Sequence, residues 1–340
     1  MEVYRVRLMV ALSVLVFAAG CGGDGGGSGD GKLTVYSGRE EELVGPLLEQ
    51  FEEQSGVELE VRYGDSAELA ATIAEEGENT PADVFFAQDP GSLGALEGEE
   101  LLTELPDEIL ERVPERFRDP DGRWTGTSGR VRVLAYNTEA LSEDEVPDSV
   151  YDLTDPKWKG KIGFPPTNAS FQAFVTAMRL SDGDERAREW LEGFAANDPK
   201  TYERNTPVVE AVAAGEIELG LVNHYYLYLV KEEQPDAEVA NHFLEAGDPG
   251  ALVSVAGAAI LEGADEESAR EFVEYLLSDE GQRFYTDEAE EAEYPLVDGI
   301  EPKEGLPPLE SLDGSEVQLD AFGPELEETL ELLREVGFTT

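Results

Sequence analysis

Two adjacent phenols, Tyr225 and Tyr226, close the run Leu219-Gly220-Leu221-Val222-Asn223-His224. A buried strand that ends in this way places both phenol oxygens at the carboxyl edge of a sheet, where open α/β sheets bind their ligands. Oxygen donors suit hard cations. A free phenol has a pKa of about 10, but a highly charged bound cation holds it as the phenolate at neutral pH. The same rings could instead pack in a core or an interdomain seam, and their spacing alone does not choose between the two. A second stretch, Pro165-Pro166-Thr167-Asn168-Ala169-Ser170, follows an apolar strand and leads into a helix. Its backbone N–H groups offer a small anion a place at a helix start. Plain capping of that helix by Thr167 or Asn168 explains the same residues equally well.

The elements that must position these groups alternate in type. Lys32 to Gly38 reads as a strand ending in a turn, and Arg39 to Ser55 carries Leu43, Val44, Leu47, Leu48 and Phe51 on one helical face. Val57 to Tyr63 is an expected strand, Ala67 to Glu76 a helix and Ala82 to Phe86 a third strand. Strands that alternate with helices predict an α/β fold with a mixed, mostly parallel sheet and right-handed crossovers. The loops over 37–40 and 87–91 are then its candidate switch points. The Gly-rich Gly126-Thr127-Ser128-Gly129 reads as a lead-in to a strand over Arg130 to Tyr136. Further strands are expected at Lys161 to Phe164 and Glu216 to Val222, with a helix over Phe171 to Leu180 and another from Asn205-Thr206-Pro207, where Pro is tolerated. Gly250 to Ile260 is a long run of small and apolar residues, a candidate hinge strand. Helices over 266–277, 280–285 and 325–336 finish the chain. There is no internal repeat, and Gly and Pro mark no single linker, which fits two lobes that share the chain through several crossings.

Composition narrows the function. The 340 residues carry 76 acidic against 24 basic side chains, a formal charge of −52. Repulsion on that scale disfavours nucleic acid and anionic membrane surfaces as partners. The charge reads as a solvated acidic coat or as a means of concentrating cations, which composition does not separate. Apolar residues are plentiful enough for a folded body of two lobes. No Gly-x-Ser-x-Gly elbow, phosphate-cradling Gly-x-x-x-x-Gly-Lys or zinc-type His pair is present, so no catalytic residue is singled out and an enzyme is not expected. At the N-terminus, Arg5 and Arg7 precede the apolar run Leu8 to Ala19, too short to span a bilayer, so a cleaved signal is expected over residues 1–20. The single cysteine, Cys21, excludes an intrachain disulfide, and 21–31 has the Gly-rich composition of a flexible tether.

Taken in order, several short motifs carry a resemblance. They are Val35-Tyr36-Ser37-Gly38-Arg39, Pro81-Ala82-Asp83-Val84-Phe85, Ser128-Gly129-Arg130-Val131-Arg132, Pro156-Lys157-Trp158-Lys159-Gly160, Asn223-His224-Tyr225-Tyr226, Asp248-Pro249-Gly250-Ala251-Leu252-Val253 and Ala292-Glu293-Tyr294-Pro295-Leu296. Together they resemble the bacterial periplasmic ferric-ion-binding proteins of ABC iron importers, over Lys32 to the C-terminus. The resemblance implies a two-lobe periplasmic binding protein fold with hinge strands between the lobes. Its N-lobe would be 32–130 plus about 257–306, and its C-lobe 131–256 plus about 307–340. It further implies Fe(III) as the ligand, with Tyr225 and Tyr226 as metal ligands and a synergistic anion, carbonate or phosphate. Asn168, Ala169, Ser170, Asn205 and Asn223 match positions that hold a phosphate-like anion in some members. Arg39 and Arg130 match arginines that hold carbonate in others.

The chain departs from the family pattern in its first lobe. Glu40 stands where some members have a ligating histidine, Gln88 where they have a carboxylate, and Glu41 and Ser170 where others place further tyrosines. Glu40 is the candidate metal ligand there, ahead of Asp89, although it suits a first-turn helix acid as well. His224 reads as a packing residue, and Tyr228 is left out of the site. Ala18-Ala19-Gly20-Cys21 resembles a lipobox, which implies lipidation of Cys21 and a monomer tethered to the outer face of the cell membrane. The implied partners are an ABC permease and its ATPase. The alternative reading keeps the fold and replaces iron with a small phosphorylated or phosphonate metabolite.

Overall fold

The computed structural model describes residues 32–288, 292–312 and 317–339. The signal segment, Cys21 and the tether lie outside the described residues.

Nine strands form the framework: β1 (Lys32–Ser37), β2 (Glu58–Tyr63), β3 (Val84–Ala87), β4 (Thr125–Asn137), β5 (Ile162–Phe164), β6 (Lys200–Thr201), β7 (Leu219–Asn223), β8 (Val239–Phe243) and β9 (Val253–Ile260). They are ordered β2-β1-β3-β9-β4-β7-β5-β6, with β8 also paired to β4. β1 runs parallel to β2 and β3, and β5 runs parallel to β6 and β7, as the alternation of strands and helices predicts. The antiparallel pairings among these strands all involve β4 or β9.

β4 is the strand that both halves share. Its thirteen residues are all buried. Through Val131 it pairs with β9; from Arg132 onward it pairs with β7. The glycines expected to form a loop ahead of this strand lie inside it. A Cβ on Gly126 would come within 2.6 Å of the Phe117 carbonyl oxygen, and one on Gly129 within 3.1 Å of both Leu296 and Tyr294. Gly129 also exchanges two backbone hydrogen bonds with Tyr294, at 2.8 and 2.9 Å. Glycine inside a strand marks such a close approach of backbone to backbone. Here it brings the segment after Ala292 against the strand.

The period of two along a strand explains how the core divides. Leu134 and Tyr136 of β4 join Phe164, Phe171, Phe174, Trp190, Phe194 and Leu221 on one face of the second sheet. Val133 and Ala135 join Val208, Val212, Val222 and Val239 on the other. A separate core gathers Leu33, Val35, Phe51, Phe85, Phe86, Val255 and Phe272 around the first sheet. Two helices absent from the sequence expectations, Pro90–Gly98 and Asp184–Ala196, cover the two sheets.

The last helix, Phe322–Val336, touches both halves. Phe322 packs in the first core, and Leu332 and Leu333 pack in the second. Arg179, buried on the helix Ala169–Asp182, donates to the Glu325 carbonyl at 2.8 Å and to Thr329 Oγ1 at 2.9 Å, fastening the last helix to the second half. Against the first half, main chains also come close: a Cβ on Gly323 would stand 2.8 Å from the Gly91 carbonyl oxygen, and one on Gly94 3.1 Å from that of Asp320, just ahead of the last helix. We therefore expect Gly323→Val to cost about 1–3 kcal/mol, because both colliding groups are main chain and neither can swing away. Urea unfolding of the two chains measures this, and an unchanged midpoint would show that the crossing is loose.

Candidate ligand site at the β4 crossing

β7 ends at Asn223, the chain turns through His224 and Tyr225, and a helix begins at Tyr226 (Tyr226–Glu233). Tyr225 is 2 % exposed and Tyr226 is half-buried. The Tyr225 hydroxyl donates to that of Tyr226 at 3.1 Å, and the ring centroids lie 4.3 Å apart. Neighbouring ligands on a small octahedral cation with bonds of about 2.0 Å stand about 2.8 Å apart, so these two oxygens are already close to the spacing that one such ion needs. Among the described residues no cluster of three or more His, Cys, Asp or Glu could hold a metal.

Beside the phenols runs a polar row that the sequence reading did not assemble. Ser128, Arg130 and Arg132 stand two apart on β4 and share one face as it passes from β9 to β7. Ser128 Oγ donates to Glu293 at 2.6 Å, and Arg39 reaches the same carboxylate at 3.0 Å and Ser128 at 3.2 Å. Arg130 Nε lies 3.9 Å from the other Glu293 oxygen, and its Nη2 donates to the Gln88 carbonyl. Arg132 donates to Ser170 Oγ at 3.1 Å, to the Leu221 carbonyl at 3.0 Å and to Asn223 Oδ1 at 3.5 Å. Its guanidinium also lies 5.7 and 5.4 Å from the ring centres of Phe171 and Phe174. The signal that could have found Arg132 was the Arg-x-Arg spacing within the expected strand Arg130 to Tyr136; Ser128 joins the row only once the glycines before it are read as strand.

The charges in this region are buried, and that sets their chemistry. Burial pushes the Arg132 guanidinium down to about 9, while attraction to Tyr226 and Tyr225 works to keep it charged. Burial alone would push the Glu293 carboxyl up, but Arg39, Arg130 and the Ser128 hydroxyl overcome it and hold the group below its ordinary range. Desolvation pushes His224 down to about 4. Its Nδ1 accepts from the Val131 N–H at 3.2 Å, so the ring proton sits on Nε2, which donates to the Ala292 carbonyl at 2.9 Å. Both ring nitrogens are thus engaged, consistent with packing and leaving no lone pair for a metal.

The other residues picked out from the sequence fall as follows. Asn168 Oδ1 accepts from the Ser170 N–H at 3.0 Å and from Ser170 Oγ at 2.5 Å, so Asn168 caps the helix Ala169–Asp182 and Ser170 links that cap to Arg132. Ala169 is exposed at the first position of this helix. Asn205 begins the helix Asn205–Ala213; it is fully buried, and neither its amide oxygen nor its nitrogen has a hydrogen-bond partner. Buried amides are rarely left this way; the Asn205 amide N–H and, separately, the Nε–H groups of Arg130 and Arg132 are unpartnered donors of the kind an anion accepts from. Glu40 is exposed just before the helix Glu41–Ser55, and its side chain makes no capping bond.

The model of the family described as bacterial extracellular solute-binding protein matches residues 79–310. The major ferric iron-binding protein of Neisseria meningitidis serogroup B is 34% identical over 313 residues, 90% of this chain and 92% of that protein. Iron-bound HitA from Pseudomonas aeruginosa superposes with a TM-score of 0.83 at 36% identity, covering 90% of this chain and 99% of its own. The Trichodesmium protein IdiA (FutA), in complex with iron and citrate, superposes with a TM-score of 0.80 at 29% identity, covering 91% and 100%. These neighbours are two-lobe periplasmic binding proteins, the α/β architecture that the motifs implied.

The Glu293 ion pairs make a measurable demand on stability. A carboxyl held below its ordinary range stabilises the fold fully above the unfolded glutamate pKa, about 4.3, and that contribution is lost as the pH falls through the lower folded value. Glu293→Gln leaves Arg39 and Arg130 buried without this partner, so we expect a loss of about 3–5 kcal/mol at pH 7. The acid limb of its stability profile should flatten correspondingly. Urea unfolding from pH 3 to pH 8 reads both effects.

Proposed function

We propose, since the chain belongs to the family of bacterial extracellular solute-binding proteins, that its solute is Fe(III), gripped by Tyr225 and Tyr226 together with a synergistic anion. The observation that carries this reading is the pair of phenol oxygens 3.1 Å apart beside the buried Arg132. A trivalent cation on two phenolates retains one positive charge, and a bound anion offsets it. That anion lies among Asn168, Ala169, Ser170, Asn205 and Asn223, with Arg39 and Arg130 drawing carbonate toward the first half. The buried, unpartnered amide of Asn205 supports this placement. Glu40, exposed and making no cap bond, is the first-half carboxylate offered to the metal.

The function is binding and delivery, in keeping with a solute-binding family, and not catalysis. In this reading the first core belongs to an N-lobe of 32–130 with about 257–306, and the other two cores to a C-lobe of 131–256 with about 307–340. Most of the first core falls within the N-lobe bounds, which supports that division, while Leu252, Val253, Val255, Leu319 and Phe322 of the C-lobe bounds also pack in it. The loaded monomer hands iron to an ABC permease driven by its ATPase. Lipidation at Cys21 and the tether behind it hold the protein on the outer face of the cell membrane. Among the described residues no helix is long and apolar enough to cross a membrane.

Two measurements test this. Iron(III) added to the metal-free protein should produce a visible phenolate-to-iron charge-transfer band, and Tyr225→Phe with Tyr226→Phe should abolish both band and binding while the fold survives, because Phe keeps the ring packing. Undiminished iron affinity in that double variant would refute the ligand assignment. A protein made for a phosphorylated metabolite would instead bind phosphate esters without colour. Separately, Arg130→Ala should release iron about tenfold faster with carbonate as the sole anion and change little with phosphate, a difference of one charge-assisted hydrogen bond. Equal acceleration under both anions would remove Arg130 from the anion's contacts.

A further inference from the structure

His224 stands next to the phenols with both ring nitrogens engaged, and the ligand reading gives it no part. Its backbone N–H donates to the Val131 carbonyl at 2.9 Å while its Nδ1 accepts from the Val131 N–H at 3.2 Å, so one residue of β4 is held twice. Val131 is the last β4 residue paired with β9 before the strand passes to β7. On the other side of the ring, Nε2 donates to the Ala292 carbonyl at 2.9 Å. Ala292 is buried and sits at φ 51°, a left-handed conformation that an alanine enters only when its surroundings impose it. The next residue is Glu293, which binds Arg39 and faces Arg130. The ring itself stands between Tyr225, edge-on at 5.6 Å, and Tyr294 at 5.1 Å. The Asn241 amide closes the turn by donating to the His224 carbonyl at 2.7 Å.

We propose that His224 is a positioning residue whose ring latches the phenol-bearing turn to the Ala292–Glu293 segment, so that the two phenols and the Arg39–Arg130 cluster are held as one rigid unit. This rests on the ferric reading of the phenols. The chemistry of the ring supports it: a neutral imidazole has one acceptor and one donor at opposite corners, and here each meets a buried backbone group that would otherwise go unsatisfied. An apolar side chain would fill the same space between Tyr225 and Tyr294 but could not fix the distance from the turn to Ala292. The left-handed Ala292 is the mark of that constraint on the far side of the latch. Anion chemistry at the arginines is thereby transmitted to the metal at the phenols without direct contact between them.

The test is a double-mutant cycle on the whole mature chain, with release of iron to excess EDTA read at the charge-transfer band and carbonate as the anion. His224→Leu alone and Arg130→Ala alone should each speed release about tenfold, and the double variant should be little faster than either, because each breaks the same linkage. His224→Gln, which keeps an amide to bond one of the two backbone groups, should fall between wild type and His224→Leu. Effects that multiply in the double variant, or release from His224→Leu at the wild-type rate, would overturn the proposal. A second readout needs no iron. In the metal-free chain, amide hydrogen exchange at Gly129 and Tyr294, which bond each other across β4, should quicken about tenfold in His224→Leu as the segment loosens. Unchanged exchange there overturns the latch. If the wild-type protein shows no charge-transfer band at all, the ferric reading fails, and the exchange measurement still decides the latch.

Discussion

Arg39, Arg130 and Arg132 are taken out of water where β4 passes from one sheet to the other, and Glu293 is buried with them. Removing a guanidinium from water costs several kcal/mol, and the cost is recovered only by partners of good geometry. Glu293 serves Arg39 and faces Arg130; Arg132 receives neutral oxygens and aromatic faces. Buried charge is therefore concentrated at this crossing, inside a chain whose formal charge is −52. The geometry of the site follows from the need to partner it: Glu293, Ser128 and Ser170 are each drawn onto a guanidinium.

The fold keeps these charges out of bulk solvent. β4 is buried along its whole length and its neighbours on either side are apolar strands, so the interactions of its arginines are little weakened by solvent. The acidic residues lie mostly on the surface, where their repulsion is spread through high dielectric. On the proposed ferric reading, a cation would pass from this negatively charged exterior to a site flanked by buried arginines, where two phenolates and an anion would offset its charge.

How much of this was legible beforehand depended on the range of the interaction. The phenol pair was visible because Tyr225 and Tyr226 are adjacent and follow an apolar run, a purely local pattern. The helix at Ala169 and its cap at Asn168 were equally local, and both are present. Glu293 could not be found in the same way: its partner Arg39 is 254 residues distant, and nothing around either residue announces the other. Ser128 was hidden by a different cause. Gly126 and Gly129 looked like a loop, because glycine usually punctuates a strand, and only the close approach of Phe117, Leu296 and Tyr294 explains why they lie within one. Once the strand is taken from Thr125, Ser128 joins Arg130 and Arg132, already two apart in the expected strand, in one row. Helix Pro90–Gly98 escaped for a related reason: three of its nine residues are glycine, and those at 91 and 94 face main chain at Gly323 and at Asp320, just ahead of the last helix.

That last helix, Phe322–Val336, has a mechanical implication. It is bolted to the second half by Arg179, and against the first it brings Phe322 into the core and main chain close at Gly323, Gly91 and Gly94. Parting it from the first half would expose the apolar flank of Phe322 to water. The C-terminal segment thus straps the two halves together a second time, independently of the strand they share.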